Sequence, residues 1–167
     1  MIRLLSLVFS LFLLINGCGY KPTVVYTKEI LGDRIYAEVE TSLEDPENSV
    51  LIKDALREAV LNRFRSKLVR KDLATSTIYM KLNKVTFMPI QYDRNGYVIA
   101  YKTYVELKTR YRDRAGREKI ILSRGDYDFN IESNSVISDT KRFEAIRLAS
   151  SKAIDHFISK LSIEGIR

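Results

Sequence analysis

The chain has 167 residues, with 28 Lys+Arg against 21 Asp+Glu for a formal net charge of +7, one cysteine, one histidine and no tryptophan. This length suits one ordinary domain, and 46% apolar with 29% charged residues argues against disorder, collagen-like repeats and loop-rich disulfide scaffolds. One His and one Cys are too few for a zinc site, and a single Cys excludes any disulfide within the chain.

Met1-Ile2-Arg3 followed by the apolar run Leu4 to Ile15 has the layout of a secretory signal peptide. The run is shorter than the roughly 20 residues that a membrane-crossing helix needs. Ile15-Asn16-Gly17-Cys18 resembles the bacterial lipobox, in which the cysteine is lipidated and becomes the new N-terminus, although Asn16 is larger than the usual residue there. Two or three acyl chains at Cys18 would anchor the protein almost irreversibly, since each buried methylene contributes about 0.8 kcal/mol. Removal of residues 1–17 takes away only one basic residue, Arg3, so the positive charge belongs to the mature chain. Gly19 stands where an aspartate favours inner-membrane retention in such lipoproteins, so outer-membrane delivery with the domain facing the periplasm is expected.

Residues 18–32 read as a lipidated N-terminus and tether, because Tyr20 to Gly32 has no sustained period and contains Pro22. Residues 33–167 read as a single domain. Arg34 to Thr41 alternates Ile35, Ala37 and Val39 with Tyr36, Glu38 and Glu40, which is the pattern of a half-buried strand. Asp45-Pro46-Glu47 starts a helix, and apolar residues from Leu51 to Leu68 at helical spacing extend it to about Arg70. Thr77 to Ile90 is strand-like with a phase change that predicts a bulge near Asn83-Lys84. Gln91 to Gly96 is a turn, Tyr97 to Arg112 alternates again, and Asp113 to Gly116 is a second turn. Arg117 to Ile131 returns as a strand interrupted near Arg124-Gly125. Ser138-Asp139-Thr140 caps an amphipathic C-terminal helix carrying Phe143, Ile146, Ala149, Ala153, Ile154, Phe157 and Leu161. The expected class is α+β: a single antiparallel-rich four-stranded sheet with two helices packed on one face, in the order β-α-β-β-β-α.

No glycine-rich phosphate loop, paired-His helix or Gly-x-Ser-x-Gly elbow occurs, and no cofactor is expected. His156 reads as a surface or groove histidine, and Asp126 with Asp128, two apart in a strand, reads as a solvated face in preference to a carboxylate pair. The remaining signal is basic and aromatic: Tyr92, Arg94 and Tyr97 at one hairpin tip, and Arg110, Arg112, Arg114, Arg117 and Lys119 about the other. An exported protein meets no nucleic acid, and phosphorylated glycolipid is the anion that arginine forks suit. The plain alternative is a solvated hairpin whose charges prevent aggregation.

Cys18-Gly19-Tyr20, the order strand, helix, three strands, helix, and the closing segment Phe143 to Ala149 resemble the LPS-assembly lipoprotein family (LptE). The resemblance implies a non-enzymatic, plug-like lipoprotein inside the lumen of a large outer-membrane β-barrel, the LptD translocon, which it helps to fold and to which it presents lipopolysaccharide. It implies lipopolysaccharide-binding candidates at Arg94, Arg112, Arg114, Arg117 and Lys119, with Tyr92 and Tyr97 as candidates for partner contact. The competing readings are a periplasm-facing accessory lipoprotein of a phospholipid or ABC-type transport system and, third, a cell-wall hydrolase using Asp126 and Asp128.

Overall fold

A computed structural model describes residues 23–41 and 46–165. The signal peptide and Cys18 lie outside the described residues. In chain order the elements are α1 (Thr23–Leu31), β1 (Arg34–Glu40), α2 (Pro46–Asn62), β2 (Lys67–Leu68), a 3-10 turn (Lys71–Leu73), β3 (Ser76–Tyr92), β4 (Val98–Arg112), β5 (Glu118–Asn130) and α3 (Asp139–Gly165). One open sheet runs β2-β1-β3-β4-β5. β1 is parallel to both β2 and β3, while β3-β4 and β4-β5 are antiparallel.

The α+β class holds, with five strands where four were expected and a third helix. The fifth strand arises because α2 stops at Asn62 and does not continue to Arg70. Phe64 turns into the core at 1% exposure, Arg65 takes a left-handed φ of 51°, and Lys67 and Val69 donate to the Asp33 and Ile35 carbonyls. Edge pairing to β1 therefore replaces further helical bonds at Lys67 and Leu68. Part of the expected tether is likewise folded: α1 buries Thr27 and Leu31, and Gly32 ends it at φ 75° with its N–H on the Lys28 carbonyl. A tether reading rested on missing periodicity, which a nine-residue helix hardly reveals.

The bulge in β3 falls where the phase change places it, between Leu82 and Lys84. In β5 there is no interruption, since the register against β4 runs without a break from Glu118 to Asn130. Gly125 sits in that strand because α3 crosses there. A Cβ on Gly125 would lie 2.1 Å from the Ala149 carbonyl oxygen and 2.3 Å from the Ala153 nitrogen.

The core lies between the sheet and the helices. Ile35, Val39, Ile78, Met80, Leu82, Val105, Leu107 and Ile121 of the strands meet Leu56 and Val60 of α2 and Ile146, Ala149, Ala153 and Phe157 of α3. Phe157 is centred between the rings of Phe64 and Tyr111, at 6.5 and 6.1 Å, both edge-on. The alternate strand positions form the opposite face, which no helix among the described residues covers.

Candidate functional site

Strand alternation sends Tyr36, Glu38 and Glu40 of β1, Tyr79 and Lys81 of β3, and the even positions of β4 and β5 to that uncovered face. Pairing then fixes who stands beside whom. One row reads Glu38, Tyr79, Arg110, Ile120; the next reads Glu40, Lys81, Lys108, Leu122; the one after reads Lys84, Glu106, Arg124. Lys81 and Lys108 are both exposed and directly opposite each other, and neither makes an ion pair among the described residues. Like charges in that relation destabilise a sheet by about 0.2–1 kcal/mol, so the arrangement stands against local stability. Arg110 reaches Glu40 at 3.7 Å and lies 5.1 Å from the centre of the Tyr79 ring. Beside this cationic row Ile120 and Leu122 are about half exposed, at 57% and 49%.

Several acids of this face are held by cations. Glu106 accepts from Arg124 Nε at 2.5 Å and from Asn83 in the bulge, and these two bonds hold its carboxyl below the usual range against the raising effect of burial. Lys102 lies 3.3 Å from Asp128 and 4.0 Å from Asp126, and Lys152 of α3 is 3.8 Å from Asp126. The Asp128 carboxylate raises the Lys102 ammonium above its ordinary value. Asp126 and Asp128 are thus held in ion pairs with Lys102 and Lys152. Among the described residues no group of three or more His, Cys, Asp or Glu could hold a metal.

Comparison with known proteins places this fold. The family model for lipopolysaccharide assembly, LptE, matches residues 36–161, which spans β1 to α3. The chain belongs to the LptE family. That family comprises non-enzymatic lipoproteins of lipopolysaccharide assembly, so an envelope lipoprotein is what the chain is. A protein from Caulobacter crescentus CB15 described as a lipoprotein has the same fold at a TM-score of 0.54 and 10% identity, covering 86% of this chain and 96% of its own. Rare lipoprotein B from Shewanella oneidensis is similar at a TM-score of 0.52 and 11% identity, covering 80% of this chain and 96% of its own. No curated protein sequence matches the chain significantly.

In this LptE-family chain the residues singled out from the sequence do not converge. The two hairpin turns lie at opposite ends of β4, whose 15 residues span about 50 Å at roughly 3.4 Å each. Asp93-Arg94-Asn95-Gly96 and Asp113-Arg114-Ala115-Gly116 are the same turn used twice, each with a glycine N–H on the aspartate carbonyl and a positive φ at the glycine. Both turns aim an exposed arginine outward, Arg94 at one end and Arg114 at the other. Tyr92 and Tyr97 flank the first turn at 57% and 47% exposure. Arg112 continues the uncovered face, opposite Thr77 and Glu118. Arg117 serves its own turn, with Nε 2.8 Å from the buried Asp113 carboxylate. Lys119 stands opposite Tyr111 on the helix-facing side. The pairing of the two lysines depends on the bulge: were Asn83 paired in the ladder with Leu107, Lys81 would stand opposite Thr109.

Proposed function

We propose that the chain is the plug subunit of an outer-membrane lipopolysaccharide translocon, anchored through lipidated Cys18 with its domain facing the periplasm and inside the lumen of an LptD-like barrel, and that it binds lipopolysaccharide through the uncovered sheet face. The observation that carries the binding claim is the opposed, unpaired Lys81 and Lys108, with Arg110 to one side and the half-exposed Ile120 and Leu122 alongside. Phosphates would relieve the mutual repulsion of the lysines, and the two aliphatic side chains offer apolar surface next to them. A charged, polar exterior also suits the polar interior of a large barrel. Arg112 extends the same face, and Arg94 and Arg114 at the two tips remain candidate contacts with lipid or barrel, as do Arg117, Lys119, Tyr92 and Tyr97.

The test compares lipopolysaccharide binding by the lipidated protein and by Lys81→Glu/Lys108→Glu, with thermal unfolding as a check on the fold. The two new carboxylates oppose each other and stand beside Glu40, so the protein loses about 1 kcal/mol and stays folded while affinity falls about tenfold or more. Unchanged affinity would remove the sheet face from the proposal. Affinity purification from the outer membrane tests the partner separately: a stoichiometric large β-barrel is expected, and inner-membrane transporter subunits in its place would overturn the plug reading.

A further inference from the structure

A concavity lies at the β1–β2 edge of the sheet, away from Lys81 and Lys108. β2 has two residues and β1 has seven, so past Ile35 no strand among the described residues lies on the outer edge of β1. The chain leaves instead through Val69 and Arg70 into the 3-10 turn, and α2 arches over the gap. The result is a half-open groove of about 430 Å³ whose apolar lining includes Ala37 and Val39 of β1, Leu68 of β2 and Leu56 of α2. Lys53, Arg57 and Arg70 line the same groove. Lys53 and Arg57 are one helical turn apart and share a face of α2. Both are exposed and neither has an ion-pair partner among the described residues, while the exposed Arg70 holds Asp72 at 2.8 Å.

An apolar lining with uncompensated cations at its border is the complement of an amphiphile: methylenes against the lining, an anion against Lys53 and Arg57. The volume sits near the lower end of the roughly 300–1,000 Å³ usual for small-ligand sites, which suits one chain and not a lipid with several. We propose that this groove binds a single free acyl chain ending in a carboxylate. The groove lies between β1, α2 and residues 68–70, apart from Lys81 of β3 and Lys108 of β4, and does not depend on the lipopolysaccharide proposal.

The test uses the lipidated full-length protein in phosphatidylcholine nanodiscs, with diazirine-bearing palmitic acid and the corresponding alcohol as photo-crosslinking probes. Peptide mapping should place palmitate labelling on the segments 36–39, 53–57 and 68–70. Lys53→Glu/Arg57→Glu should lower labelling by the acid about tenfold and leave labelling by the alcohol unchanged. Ala37→Trp, which fills the groove, should abolish both. Thermal unfolding of each variant establishes that it is folded. Scattered labelling, or acid labelling indifferent to both variants, overturns the proposal; so does displacement of the probe by excess lipopolysaccharide, which would make the groove part of that lipid's site. Lys81→Glu/Lys108→Glu should leave labelling intact, so either proposal can fail without the other.

Discussion

At Gly125 a single missing methyl group decides how closely α3 can lie on the sheet. Any Cβ there would meet backbone atoms of the helix, which cannot rotate away as a flexible side chain would. Gly125→Ala is expected to lower stability by about 3 kcal/mol, read from urea unfolding. Gly116→Ala is the control: its Cβ meets open space but its φ of 84° is unfavourable for alanine, so a loss of only about 1 kcal/mol is expected. Asp113 shows a different dependence on detail. Burial raises its carboxyl, but the N–H of Arg117, the Arg117 guanidinium and the N–H of Ala115 outweigh that and hold it below the ordinary value. A depressed carboxyl contributes stability that is fully present above the unfolded value near 3.9 and is lost as pH falls through the folded one. Asp113→Asn should therefore be about 2 kcal/mol less stable than the parent at neutral pH, with the gap closing below about pH 4 in urea titrations.

The sheet's elements handle their exposed edges in two ways. β5 is an edge strand, and α3 caps its outward carbonyls: Lys160 Nζ donates to Leu122 at 2.6 Å, His156 Nδ1 to Arg124 at 2.5 Å and Lys141 Nζ to Asn130 at 2.6 Å. Because a carbonyl only accepts, Nδ1 of His156 carries the hydrogen, and the sole histidine is an edge cap. The far half of β3 lies beyond the reach of β1 and is interrupted instead by Pro89 and by register shifts on either side of Gln91. Both devices hinder a further strand from adding. Replacing Lys141, His156 and Lys160 together with methionine, leucine and methionine is expected to lose at most about 1 kcal/mol per site and to produce concentration-dependent association in sedimentation velocity. An unchanged monomer would show that the caps are not what protects this edge.

For the whole molecule, the net positive charge of the sequence resolves into separate places: a lysine row on the uncovered face, one arginine at each hairpin tip, and the groove beside α2. Binding of an anionic lipid by exposed charges is screened as the Debye length shrinks from about 10 Å at 0.1 M to about 3 Å at 1 M salt. Affinity for lipopolysaccharide is thus expected to fall by about tenfold or more over that range, followed by fluorescence titration, while the unfolding temperature changes little because the core is apolar. Retained affinity at high salt would mean that Ile120 and Leu122, and not the lysines, dominate the contact.

The amphipathic strands, the bulge near Asn83, the C-terminal helix with Ile146, Ala149, Phe157 and Leu161 inward, and the α+β class were all legible from the sequence, because each is written in local periodicity. The readings of Cys18 and the segment before it rest on local pattern alone and lie outside the described residues. Only tertiary structure decided the end of α2, where the pull of Phe64 into the core and pairing to β1 outweighed helical spacing; the folding of residues 23–31 onto the core; the continuity of β5 through Gly125; and the meeting of Lys81 with Lys108. These depend on contacts between residues far apart in the chain, and a one-residue change of register moves a strand's side chains to the opposite face. Local pattern says which face a residue occupies, but only the assembled sheet says what stands beside it.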